Sequence, residues 1–268
     1  MERPFGYVSH LIIVEDAMLG LQGKVAAVTG GGSGLGREFC LELAKEGVRV
    51  VAADVNTAGA EETARLVTDA GGEAMAVEAN VANAASVQAM VAAVLERFGA
   101  IDILINNAGL VGELKRVHEV SEESWDRVLS VDLKGVFLCS KYVLPSMLER
   151  KRGVIINIAS VSAFLASNTG VEYTAAKHGV AGLTKQLAYE YGHDGIRAVG
   201  VGPGVIETPL TEDWTREGGP FHQLTMDAPA GRYGRPIDIA RVVCFLASDE
   251  ASFMHGHTIP VDGGSIIR

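Results

Sequence analysis

Thr29-Gly30-Gly31-Gly32-Ser33-Gly34-Leu35-Gly36 joins the apolar run 24–28 to a segment in which Leu35, Phe39, Leu43 and Ala44 share one helical face. An apolar, β-branched run ending in glycines has the pattern of a buried parallel strand that turns into a helix. The alternation continues downstream. After the strand at 24–29, further strands are expected at 48–53, 74–78, 101–105, 153–158, 196–201 and 258–261. Helices are expected at 34–46, 57–70, 84–98, 171–191 and 237–246, with one long helix over 124–148 that Pro145 bends or brings to its last turns.

Strands alternating with helices imply βαβ units and a doubly wound α/β fold, a parallel Rossmann sheet. A chain of 268 residues, 48% of them hydrophobic, suits one such domain. It is expected over 21–268, with 1–20 as an N-terminal extension. Glu15 and Asp16 interrupt the apolar run at 10–14, and no basic stretch leads into it, which argues against a signal peptide or membrane span. The stretch 208–236 reads as a long irregular lid.

A formal net charge of −10 argues against nucleic acid or an anionic membrane as partner and leaves a small molecule as substrate. Cys40, Cys139 and Cys244 are odd in number and widely spaced. They read as reduced, buried thiols of a cytoplasmic protein, with no disulfide frame and no metal site.

Ligands of such sheets lie at the carboxyl ends of the strands. The glycine turn, Asn106–Gly109, Ser160 and Pro203-Gly204 all follow strands, so they should converge on one edge. Gly30, Gly34 and Gly36 follow Thr-Gly-x-x-x-Gly-x-Gly spacing rather than G-x-G-x-x-G. Such glycines admit a pyrophosphate, and the next helix offers free N–H groups and its positive end. The plain alternative is a flexible turn. Asp54, at the end of the second strand, can accept hydrogen bonds from ribose hydroxyls and would repel a 2′-phosphate. Ser33 and Val55 bring no positive charge, and Arg37 is expected to point away along the helix. The expected cofactor is therefore NAD rather than NADP; the competing role for Asp54 is a cap on the next helix.

Tyr173 and Lys177 stand at i and i+4, on one helix face. An ammonium beside a phenol favours phenolate and lowers a tyrosine pKa from its reference of about 10. Such a phenol can exchange a proton with a carbinol near neutral pH. Ser160 can hold the substrate oxygen beside it. An ordinary exposed Tyr–Lys pair is the alternative, and the position behind Ser160 and the glycine turn weighs against it.

These stretches, with Ile158-Ala159-Ser160, Tyr173–Lys177, Thr208 and Val261-Asp262-Gly263-Gly264, resemble the short-chain dehydrogenase/reductase family over about 21–268. The resemblance implies a catalytic Tyr173, a Lys177 that binds the nicotinamide ribose and tunes the phenol, and a Ser160 that positions substrate. It implies cofactor contacts from Leu35 beside the glycines, from Asn80 and Val81, and from Asn107, Ala108 and Gly109. Pro203, Gly204, Ile206 and Thr208 would complete them, the last two anchoring the carboxamide. It also implies a homotetramer or homodimer packed through the helices that carry Asp132 and Tyr173. Three positions depart from the family: Asn80 stands for its Asp, Val199 for an Asn, and Asp132 for the Asn of the proton relay.

Substrate choice is expected in 111–117, 161–171 and 209–233, where Phe164, Leu165, Leu210, Trp214, Phe221, Leu224 and Met226 suit a moderately apolar secondary alcohol or ketone, cyclic ones included. Arg216, His222 and Arg232 could meet an acidic group. The competing functions are an NADPH-dependent 3-oxoacyl-carrier-protein reductase and a non-catalytic NAD-binding sensor.

Overall fold

The computed structural model describes residues 18–166, 169–215, 219 and 221–267. Strands β1 (Val25–Thr29), β2 (Arg49–Asp54), β3 (Ala74–Glu78), β4 (Ile103–Asn106), β5 (Gly153–Ile158), β6 (Ile196–Pro203) and β7 (Thr258–Val261) form one parallel sheet. Its order is β3-β2-β1-β4-β5-β6-β7. The order reverses between β1 and β4, the switch point at which such sheets open a ligand crevice.

The helices are α1 (Gly34–Lys45), α2 (Thr57–Asp69), α3 (Ala84–Phe98), α4 (Glu122–Asp132), α5 (Lys134–Glu149), α6 (Val171–Tyr191), α7 (Glu212–Thr215), α8 (His222–Met226) and α9 (Pro236–Ala247). Strand side chains alternate between the two faces. Ala26 and Val28 of β1 pack with α1, α2 and α9, whereas Val25 and Ala27 pack with α3, α5 and α6. Both faces are thus covered, which is why the strands read as unbroken apolar runs. Phe39 of α1 and Met90 of α3 are completely buried on opposite faces, and truncating either to Ala should cost about 2–5 kcal/mol.

Four expectations are corrected. The long helix over 124–148 is two helices, broken at Leu133 (φ −116°, ψ −58°). The break falls where Asp132 turns inward to ligand Leu110 and Lys177, and where Leu133 presses on Gly179 of α6; a Cβ there would meet it at 2.9 Å. Pro145 sits in the closing turns of α5. The fourth strand starts at Ile103. Asp102 still donates to Val25 O and accepts from Val154 N–H, both at 2.9 Å. Before it, the Val25 N–H goes to the Asp102 carboxylate (2.9 Å) and Ile101 O to the Arg150 guanidinium (2.6 Å), so pairing does not reach back to 101. Residues 18–20 of the expected extension already belong to the domain: Met18 N–H donates to Glu46 Oε2 at 2.7 Å, and Leu19 O accepts from Asp249 N–H at 3.0 Å. The rest of that extension lies outside the described residues. The lid carries α7 and α8, so 208–236 is not wholly irregular.

Candidate active site

The glycine turn crosses the carboxyl edge of β1 and enters α1. A Cβ on Gly36 would stand 2.0 Å from Gly30 O, so no side chain fits where the turn folds on itself. Gly34 takes φ +50°, a conformation open to glycine at little cost. Ser33 caps α1 without a side-chain hydrogen bond, and no acidic residue occupies the first turn. The first N–H groups of a helix have no internal partner, so this end can receive an anion. Thr208 faces it from across the crevice, 3.5 Å from where a Gly34 Cβ would lie. The cradle therefore fits the pyrophosphate of a dinucleotide.

The neighbouring loop is tied to this turn. Thr29 Oγ1 accepts the N–H groups of Asn107 (3.0 Å) and Ala108 (3.1 Å), while the Asn107 amide donates to Thr29 O at 2.9 Å. Asp54 accepts Gly32 N–H on Oδ2 (2.9 Å) and Asn56 N–H on Oδ1 (2.8 Å). The cap of α2 is Asn56, not Asp54. Val55 is exposed and uncharged. Arg37 corrects an expectation: it turns back, its guanidinium donating to Gly32 O (2.5 Å) and Thr63 Oγ1 (3.0 Å), because both acceptors lie within its reach across α1 and α2. Asn80 Oδ1 accepts Ala82 N–H at 3.0 Å, Val81 packs on Gly135, and Leu35 packs on the core. Ile206 is buried against Gly234, and Thr208 pairs with Thr211. Val199 is buried in the core in place of a polar side chain.

The residues expected to transfer the proton lie along β5 and α6. Ser160, just past β5, accepts Ser162 N–H on its hydroxyl oxygen at 3.1 Å. Lys177 is buried; its ammonium donates to Ile158 O at 3.1 Å and lies 5.2 Å from the centre of the Tyr173 ring. Asp132 Oδ2 stands 3.1 Å from Lys177 Nζ, and Oδ1 accepts Leu110 N–H at 2.8 Å. A Cβ on Gly109 would come within 2.9 Å of that carboxylate, so the glycine makes room for the pair. Burial pushes the Asp132 carboxyl up from its usual range, against the pull of the Lys177 ammonium and the Leu110 N–H. Burial also pushes Lys177 down, but the Asp132 and Tyr173 charges outweigh it and its pKa stands above 10.5. At 3.1 Å an ammonium and a carboxylate each favour the charged form of the other, against the burial that both share.

Ser160 and Tyr173 open on a cavity of about 600 Å³, with Val111, Leu165, Leu210, Trp214 and Phe221 among its walls. The Trp214 and Phe221 rings meet at a tilt of 53°, with 5.2 Å between ring centres. Phe164 is not a wall: its ring lies against Gly202, where a Cβ would meet it at 2.8 Å. Met226 and Val117 do not line the cavity either, Val117 being exposed. The Leu224 side chain and Arg216 lie outside the described residues. Arg232 lines the cavity but is taken by Asp238 at 2.7 Å, and His222 Nδ1 lies 3.2 Å from the Tyr233 hydroxyl.

Sequence reasoning missed two contributions. Asp262, Gly263, Ser265 and Ile266, with Ile239 and Arg241 of α9, line the cavity too; the glycines after the last strand carried that signal, since they too follow a carboxyl edge. Beneath the site runs a buried chain of side chains: Asn106 Nδ2 donates to Asn157 Oδ1 (2.8 Å), and Asn157 Nδ2 to Thr184 Oγ1 (2.8 Å). It locks β4, β5 and α6 together under the catalytic residues.

A family model described as enoyl-(acyl carrier protein) reductase matches residues 30–265. The chain belongs to the short-chain dehydrogenase/reductase family. It is 41% identical over 240 residues to cyclohexanol dehydrogenase of Acinetobacter sp. (strain SE19), covering 90% of this chain and 94% of that one. It is 36% identical to 3-oxoacyl-(acyl-carrier-protein) reductase of Thermotoga maritima, covering 92% and 99% of the two chains. The crystal structure of levodione reductase superposes with a TM-score of 0.88 at 38% identity, over 92% of this chain and 99% of the other. The chain is thus an oxidoreductase of this family, acting on CH–OH groups.

Proposed function

We propose that the protein is an NAD-dependent dehydrogenase that interconverts a moderately apolar secondary alcohol and its ketone. The observation that carries this is the common cavity of Ser160 and Tyr173, with Lys177 beside the phenol and apolar walls around the opening. The glycine turn, Asp54 and Lys177 would hold a nicotinamide dinucleotide, which would supply the hydride acceptor or donor. Ser160 holds the carbinol oxygen, and Tyr173 Oη takes the hydroxyl proton during oxidation and returns it during reduction. The Lys177 ammonium, 5.2 Å from the ring centre, puts a positive charge beside the phenol that carries this proton. The apolar lid residues exclude water and orient the carbon skeleton. Similarity to a cyclohexanol dehydrogenase supports cyclic alcohols within this class.

The NAD preference rests on Asp54, an acceptor at the end of β2 that Val55 does not neutralise and whose neighbour Arg37 is already engaged. A 3-oxoacyl thioester reduced with NADPH is the competing function, favoured by the similarity to the T. maritima enzyme. Rates with NAD or NADP and a panel of secondary alcohols, set beside NADPH and a 3-oxoacyl thioester, separate the two. Turnover of cyclic and open-chain alcohols with NAD is the expected outcome; activity confined to the thioester with NADPH would overturn it.

A further inference from the structure

Glu172, the residue before the catalytic tyrosine, is completely buried, yet proton transfer does not use it. Its Oε1 accepts two hydrogen bonds from outside its own helix: Glu113 N–H at 2.7 Å and Ser124 Oγ–H at 3.0 Å. Oε2 has no hydrogen-bond partner among the described residues. Three elements therefore meet at one carboxyl group: the loop after β4, the first turn of α4, and the first turn of α6.

The loop is built around that meeting point. A Cβ on Gly112 would stand 2.0 Å from Glu172 Oε1, and one on Gly170 would stand 2.8 Å from Glu113 O and 3.1 Å from Glu172 Oε2. Gly170 also takes φ +91°, a region that favours glycine. Glycines thus stand on both sides of the carboxyl. The Glu113 side chain reaches Ser121, the cap of α4, at 3.1 Å and fastens the same loop a second time. At the loop's other end, Asp132 holds Leu110 N–H. Between these fixed points lies Val111, which lines the same cavity as Ser160 and Tyr173.

We propose that Glu172 is a positioning residue that sets the substrate wall: by holding Glu113 and Ser124 it fixes where Val111 stands relative to Tyr173, and so which alcohols fit. A chain fixed at 110 and 113 leaves Val111 little freedom, and a shift of about 1 Å in a positioning element can cost about 10²-fold in rate. The proposal rests on the alcohol dehydrogenase function above. It goes further in assigning a selectivity role to a residue that touches no reacting atom.

The test uses the full chain with Glu172→Ala, Glu172→Gln, Ser124→Ala and Val111→Ala. Glu172→Ala should raise KM for the preferred alcohol by roughly tenfold and reorder the alcohol panel as Val111→Ala does, with KM for NAD changed less than about twofold. Glu172→Gln keeps an acceptor and should restore the parent order. The effects of Glu172→Ala and Val111→Ala should fall short of additive when combined. An unchanged panel order in folded Glu172→Ala, or equal losses toward alcohol and NAD, would overturn the proposal. If Glu172→Ala does not fold, Ser124→Ala decides: a selective rise in alcohol KM supports the role, and none refutes it. If the parent oxidises no alcohol with either cofactor, the functional proposal fails separately. Hydrogen exchange of the Glu113 amide then decides, with faster exchange in Ser124→Ala expected and an unchanged rate contradicting the role.

Discussion

Replacing Asp132 with Asn removes one charge from a buried ion pair while keeping the side-chain oxygen that accepts Leu110 N–H. The separation of 3.1 Å gives a gross attraction of about 5 kcal/mol at an effective dielectric constant near 20. Desolvation of both groups offsets part of that in the intact pair, but the variant leaves the Lys177 ammonium buried with Ile158 O as its remaining acceptor. Breaking a buried pair from one side costs about 3–5 kcal/mol; the retained Leu110 bond places Asp132→Asn near 3. For a chain of this size that lowers Tm by roughly 6–10 °C. The pH dependence has a definite sign. In the parent, Lys177 is raised above 10.5, so its contribution is present below that pH and fades as pH climbs through the higher folded value. In the variant, burial acts with less opposition and the folded value falls below the parent's, so the variant gives up the buried charge first as pH climbs. The difference between parent and variant should therefore narrow above about pH 10.

Urea unfolding of both proteins at neutral and alkaline pH reads these differences. In kinetics, Asp132→Asn should stay active, because the side-chain oxygen that holds Leu110 N–H is kept. A variant within about 1 kcal/mol of the parent would refute the reasoning and leave Asp132 a structural residue in the relay position.

Asp54→Ser with Val55→Arg should move the kcat/KM ratio from NAD toward NADP, and an unchanged ratio would count against the assignment of Asp54. Lys177→Ala should impair both cofactor binding and turnover, read as a rise in KM for NAD together with a fall in kcat. Cys40, Cys139 and Cys244 are buried, with thiols pushed up to about 12 by that burial, so alkylating reagents should label the native protein slowly and leave activity intact.

The sheet was legible because its central strands, β1, β4, β5 and β6, are buried on both faces and read as nearly unbroken apolar runs. The carboxyl-edge rule then brought Gly30, Asn107, Ser160 and Gly204 to one edge. The helix break at Leu133 was not legible, because propensity runs through it and only the inward turn of Asp132 toward Lys177 and Leu110 marks it. Phe164 read as a substrate wall on hydrophobicity alone, but its ring fills the space left by Gly202, a contact between distant segments. Arg37 was misplaced for a similar reason: its acceptors, Gly32 O and Thr63, come together only once α1 and α2 are packed. Nothing in the sequence marked Glu172 for burial, because that burial depends on the crossing of α4 with α6.

The central claim is that Tyr173 carries the proton in alcohol–ketone interconversion on a nicotinamide cofactor. Single-turnover formation of NADH from NAD and the best secondary alcohol, comparing the parent with Tyr173→Phe, tests it most directly. The phenyl ring keeps its packing beside Lys177, so NADH should bind Tyr173→Phe nearly as well as the parent. The rate of NADH formation should fall by more than the ~10²–10⁴-fold typical of a general acid–base group. Substantial NADH formation by Tyr173→Phe would contradict the account.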